Sequence, residues 1–71
     1  MSELKVGDRV EVISDICEKS INIGDTGTVV RVWRDIIGVE LDRNIGGHSC
    51  SGLGRDGYCW NFLIKELKKG R

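Results

Sequence analysis

No stretch of this 71-residue sequence approaches the roughly 18 consecutive apolar residues that cross a bilayer. The opening run Met1-Ser2-Glu3-Leu4-Lys5-Val6-Gly7-Asp8 lacks the apolar segment of a signal peptide, so a cytoplasmic location without a membrane partner is expected. An excess of charge is missing too: 11 Lys+Arg balance 11 Asp+Glu. General attraction to nucleic acid or an anionic membrane is thereby excluded, and any such partner must be met by a local patch. Proline is absent, and there is no internal repeat, low-complexity segment or linker. Cysteine occurs three times, an odd number without tight spacing, which fits free thiols in a reducing compartment better than a disulfide framework. No segment sustains the 3.6-residue period over the ten or more residues that a stable helix needs. A chain this short buries only about 60% of the surface exposed when it is unfolded. The expectation is therefore one domain over residues 1–71, with a small core and no deep enclosed active site.

What remains is strand and turn signal. Residues 10–13 read V-E-V-I, a first strand with Val10 and Val12 on one face and Arg9 and Glu11 on the other. Residues 14–23 have no clean period and are expected to form a loop anchored by Ile21 and Ile23. Gly24-Asp25-Thr26-Gly27 is a turn signal. Residues 28–34, T-V-V-R-V-W-R, are β-branched and aromatic and favour a strand. Asp35 and Ile36 begin a short connection, after which Ile37, Val39 and Leu41 alternate with Gly38, Glu40 and Asp42 as the second strand of a hairpin. Near the end, residues 61–64 are expected to close a single helical turn and residues 65–69 to form the last strand. The fold class is all-β. About five short strands with glycine turns bury a core most simply by closing into a small barrel.

The chemistry is concentrated in residues 43–60, R-N-I-G-G-H-S-C-S-G-L-G-R-D-G-Y-C-W, where five of eighteen residues are glycine. Such density marks a long, specifically shaped loop before the last strand, and Leu53, Tyr58, Cys59 and Trp60 distinguish it from a solvated linker. His48, Cys50 and Cys59, with Cys17 as a fourth, are zinc-binding residue types, but their spacing lacks the C-x2–4-C knuckle of a convincing site. The alternative is that both loop cysteines act as small buried hydrophobes. Cys50 two residues from His48 invites a nucleophile–base reading, against which no third orienting group stands nearby. Arg43 and Arg55 flank a loop whose free N–H groups suit a phosphate or carboxylate, although Asp42 and Asp56 beside them are positioned in sequence to neutralise them. Trp33 shares a strand face with Arg31 and is the candidate exposed aromatic, the alternative being that it caps an open end of the barrel. Tyr58 and Trp60 are expected to divide between surface and core, Tyr58 as the apolar wall of the site and Trp60 as its anchor to the barrel.

The segments V-G-D-R-V-E-V-I, I-G-D-T-G-T-V-V and I-G-V-E-L-D, with a closing aromatic followed by a short turn and a last strand, resemble the small SH3-like barrel. More narrowly, N-I-G-G-H-S-C-S-G-L-G-R-D-G-Y-C-W resembles short SH3-like proteins of bacteriophages and Gram-positive bacteria that carry a G-H-x-C-x-G segment leading through another glycine to a tryptophan pair. Asn61 stands where the second tryptophan of that pair would be, which halves the paired-ring surface. The resemblance implies the barrel fold and a phage or prophage setting within a bacterial host cell.

The leading expectation is a non-catalytic binding protein of anti-defence type that uses no cofactor. It would capture a host protein or a small anionic or nucleotide ligand through Arg43, Asn44, His48, Ser49, Arg55, Asp56, Tyr58 and Trp60, with Trp33 as a further contact. A nucleic-acid-binding barrel is second, motivated by Arg31, Trp33, Arg34 and the basic tail. A zinc- or thiol-dependent protein using Cys17, His48, Cys50 and Cys59 is third. Trp33, Ile36 and Leu53 as exposed apolar side chains further suggest a homo-oligomer.

Overall fold

The computed structural model describes residues 4–14, 21–49 and 52–70. Five strands, β1 (Arg9–Val12), β2 (Thr26–Trp33), β3 (Ile36–Leu41), β4 (Cys59–Leu63) and β5 (Leu67–Lys69), build one antiparallel sheet in the order β4-β3-β2-β1-β5. A single 3-10 turn at Ile64–Glu66 joins β4 to β5 and is held by Glu66 Oε1, which accepts the Leu63 N–H at 2.8 Å. The all-β expectation holds. The glycine-rich loop lies between β3 and β4, one strand earlier than expected.

Alternation places the core. Val10 and Val12 of β1 and Ile37, Val39 and Leu41 of β3 are buried. They join Val29, Phe62, Leu67, Leu4, Ile21 and Ile45 in one apolar cluster that takes side chains from every strand. Each such side chain is worth about 1.5–3 kcal/mol when fully buried. Of the two isoleucines expected to anchor the first loop, Ile21 is buried, whereas Ile23 is 62% exposed. Residues 15–20, with Cys17, lie outside the described residues.

Several boundaries differ from the sequence reading, among them the start of the last strand, which is Leu67 rather than residue 65 because Lys65 and Glu66 belong to the 3-10 turn. The β2–β3 ladder runs to the pair Trp33 and Ile36, so the connection is the two residues Arg34 and Asp35, and Ile36 belongs to β3. Arg34 takes φ 58° there, a left-handed backbone that costs a non-glycine residue about 1–2 kcal/mol. Gly27, read as the end of a turn, is inside β2; a Cβ there would sit 2.6 Å from the Glu40 carbonyl oxygen and 2.9 Å from Leu41 Cα, so close approach of β3 selects glycine. Residues 61–63, read as part of a helical turn, continue β4, because Asn61 pairs with Gly38 and Leu63 with Ile36.

The register also slips once. Val29 pairs with Val39, but Arg31 pairs with Gly38, so Val30 is an extra residue in β2. Such a bulge reverses which face the following side chains occupy. Arg31 and Trp33 thereby join the row of Gly38 and Ile36 on the outer face, opposite buried Ile37 and Val39.

Candidate functional site

The loop is fastened at its start by two bidentate ion pairs. Arg9 donates to both Asp42 carboxylate oxygens, at 2.9 and 2.7 Å, and also to Thr28 Oγ1 at 2.9 Å; Thr26 Oγ1 donates to Asp42 Oδ2 at 2.6 Å. Arg43 grips Asp25 through Nε at 3.1 Å and Nη2 at 2.7 Å. The expectation that each loop arginine is neutralised by its sequence neighbour is therefore corrected for Arg43: Asp42 is taken by Arg9, and Arg43 reaches across to Asp25. Directed charged hydrogen bonds outweigh mere adjacency.

Beyond this point the chain runs beside β4. The Asn44 side chain accepts the Gly46 N–H at 2.8 Å, and Ile45 plugs into the core. The N–H groups of Ile45 and Gly47 both donate to the Gly57 carbonyl, at 3.0 and 3.1 Å, and His48 exchanges two backbone hydrogen bonds with Cys59, at 2.9 and 3.0 Å. A Cβ on Gly47 would collide with the Cys59 carbonyl oxygen, so only glycine allows this approach. Ser49 supports the turn that follows: its carbonyl accepts from Gly52 at 3.1 Å and Gly54 at 2.9 Å, and its Oγ accepts from Gly52 at 3.1 Å.

The returning arm then crosses the outer face of the sheet. Cys59 pairs with Glu40 on that face yet has no exposed surface, because Gly54 lies directly over its sulfur. The thiol donates to the Arg55 carbonyl at 3.5 Å. Immediately beyond, the Arg55 guanidinium lies 4.7 Å above the Tyr58 ring. These two residues, with Thr28, Glu40, Leu41 and Asp42, line a cleft of about 240 Å³.

The candidate residues are thus divided. Arg55 and Tyr58 share the cleft; Arg43, Asn44 and Ser49 shape the loop; Asp56 is exposed on it. The His48 ring rests 5.6 Å from that of Trp60, which packs against the core; Tyr58 lines the loop cleft, and both rings are half-buried. Trp33 lies in a different cleft. Of the three apolar side chains expected at the surface, Trp33 and Leu53 are exposed and Ile36 is half-buried. Thr28, Glu40 and Asp42 were missed as cleft residues, although their outward positions in the alternation marked them as available. Cys50 lies outside the described residues, and the Cys59 thiol is shut beneath Gly54. Among the described residues no group of three or more His, Cys, Asp or Glu side chains is placed to hold a metal ion.

The Arg9 guanidinium, followed by the Thr26 hydroxyl, holds the Asp42 carboxyl down at about 2. A carboxyl depressed in the folded state adds stability above its unfolded value, near 4, and that stability drains as pH falls from there towards 2. Both side chains are about half exposed, so water screens the pair to about 1 kcal/mol or less. Urea unfolding at pH 5 and pH 2.5 should show wild type losing up to that much more than Asp42→Asn, and equal losses would show the pair to be idle.

Comparison with family models, curated proteins and solved structures finds no match. The chemistry of the two clefts therefore carries the functional reading.

Proposed function

We propose that this chain is a small SH3-like barrel acting as a non-catalytic binding protein, a phage or prophage accessory of anti-defence type that holds a host protein against its glycine-rich loop. The barrel reading is supported by a last strand that pairs with the first after a single short turn. The binding reading is carried by one observation: Gly54 packs on buried Cys59, so the arm bearing Arg55 and Tyr58 is held against the sheet beside a cleft rather than left free. Pre-organised loops lose less entropy on binding. Of the two partner classes expected, a protein fits better than a small anion, because Glu40 lines the same cleft as Arg55 and repels an anion entering it, while Asp42 is already paired with Arg9. A polypeptide supplies N–H donors for the Glu40 carboxylate and carbonyls for the guanidinium.

Native mass spectrometry of the protein purified from its host tests this directly. Wild type should carry a protein partner, and Arg55→Ala should lose it with an unchanged melting temperature, a weakening of about 1–3 kcal/mol for a desolvated charged hydrogen bond. A partner retained equally by Arg55→Ala and Tyr58→Ala would place binding elsewhere. The same spectrum reads self-association through exposed Trp33 and Leu53.

A further inference from the structure

The bulge in β2 places Val30 beside Gly54 of the loop arm, and it has a second consequence. This one lies further along the strand: without the extra residue, alternation from buried Val29 would turn Arg31 and Trp33 inward. Bulges that re-aim side chains are over-represented beside functional sites. Here the bulge exposes a tryptophan to 58% of its surface, a large apolar group that the small core could have used.

The exposed face has a definite shape. Arg31, Gly38 and Asn61 form one row across β2, β3 and β4, with glycine in the middle. Two strand spacings, about 10 Å, therefore separate the outer members, with no side chain rising between them. Trp33 and Ile36 form the next row and close one end. These five residues line a cleft of about 330 Å³ that contains a guanidinium and no carboxylate. Arg34, in the strained turn, sets a second guanidinium over one face of the Trp33 ring, 5.5 Å from its centroid.

We propose that this cleft holds the base of a single-stranded nucleic acid against Trp33, with Arg31 and Arg34 on the flanking phosphates. A slot with an aromatic wall accepts a planar heterocycle, and every base offers a face for stacking. Guanidinium groups on the rim match phosphate oxygens. The zero net charge of the chain means that attraction comes from local groups such as this patch rather than from the chain as a whole, so contacts are few and the salt dependence is shallow. An acidic protein segment would satisfy the arginines but supplies nothing flat for the slot between Arg31 and Asn61. This site is separate from the loop cleft and stands without the reading given for it.

Fluorescence anisotropy of a labelled short oligothymidylate at low salt provides the test. Wild type should bind, Trp33→Ala and Arg31→Ala should each bind about ten-fold or more weakly, and Arg55→Ala should bind as wild type does. Trp33 lies outside the core cluster, so the urea midpoint of Trp33→Ala should stay near that of wild type and keep the loss interpretable. Trp60→Phe leaves Trp33 as the sole indole, and its emission should be quenched by the oligonucleotide. Thymidine monophosphate separates the sources of the ligand: affinity below that of the oligonucleotide supports a strand, whereas equal affinity overturns the strand in favour of free nucleotide. Absence of binding by wild type up to about 1 mM, retention of binding by Trp33→Ala, or equal displacement by an oligoglutamate overturns the proposal.

Discussion

Phe62→Ala is expected to remove a large part of the protein's stability at 25 °C. Phe62 is the largest of the fully buried side chains and sits opposite Ile37 in the β3–β4 ladder. Removing such a ring from a core costs about 3–5 kcal/mol. A domain of this length has only about 4–10 kcal/mol in total, at the usual 0.05–0.15 kcal/mol per residue. Nearby Trp60 supplies the control. It is the larger ring and faces the same side of β4, but it is half-buried at the edge of the cluster beneath His48. Trp60→Ala should therefore cost about 2 kcal/mol or less, since only part of the ring's burial is lost. Paired urea titrations decide between them, and a Trp60→Ala loss equal to or above that of Phe62→Ala would show that Trp60, not Phe62, carries the β4 side of the core.

That contrast shows where residue type stops being informative. Ring size in the sequence marks Trp60 as the anchor of the loop, but both rings meet the inner face, and Phe62 opposite Ile37 lies inside the cluster whereas Trp60 lies at its edge. The strands themselves were legible, because Val10 and Val12, and Ile37, Val39 and Leu41, alternate over a half-buried face. So was the β2–β3 hairpin. The Val30 bulge was not, because a one-residue slip leaves no mark in composition; it is selected by the pairing of two distant strands. Ile45 was missed for a related reason. A single isoleucine among Asn44, Gly46 and Gly47 has no period, and only the hydrogen bonds of its neighbours to Gly57 and Cys59 carry it into the core. The loop was recognisable as the chemical centre from its glycines, yet its cleft is completed by Thr28, Glu40 and Asp42, which no local motif connects to it.

Gly54→Ala should lift the returning arm of the loop from the sheet, and the reason lies in one contact. A methyl group at position 54 would overlap Cys59 Sγ, with Glu40 Cβ at 3.4 Å and Val30 Cγ2 at 3.6 Å closing the remaining space. Cys59 has no exposed surface, so its sulfur has nowhere to swing. Overpacking of this kind costs about 1–3 kcal/mol, which the chain can relieve by detaching the arm and exposing the thiol. In a background with Cys17 and Cys50 changed to serine, Cys59 alone reports the event: a thiol reagent should label it slowly in the parent and much faster in Gly54→Ala. Cys59→Ala removes the obstructing sulfur, so adding it to Gly54→Ala should restore most of the lost stability, the new methyl filling the vacated space. Recovery in the double variant is the signature of direct contact, since sites that do not touch simply add their costs. Should Gly54→Ala leave Cys59 unreactive and the urea midpoint unmoved, the arm does not rest on β4, and the cleft beside Arg55 and Tyr58 loses the support that makes it a binding site.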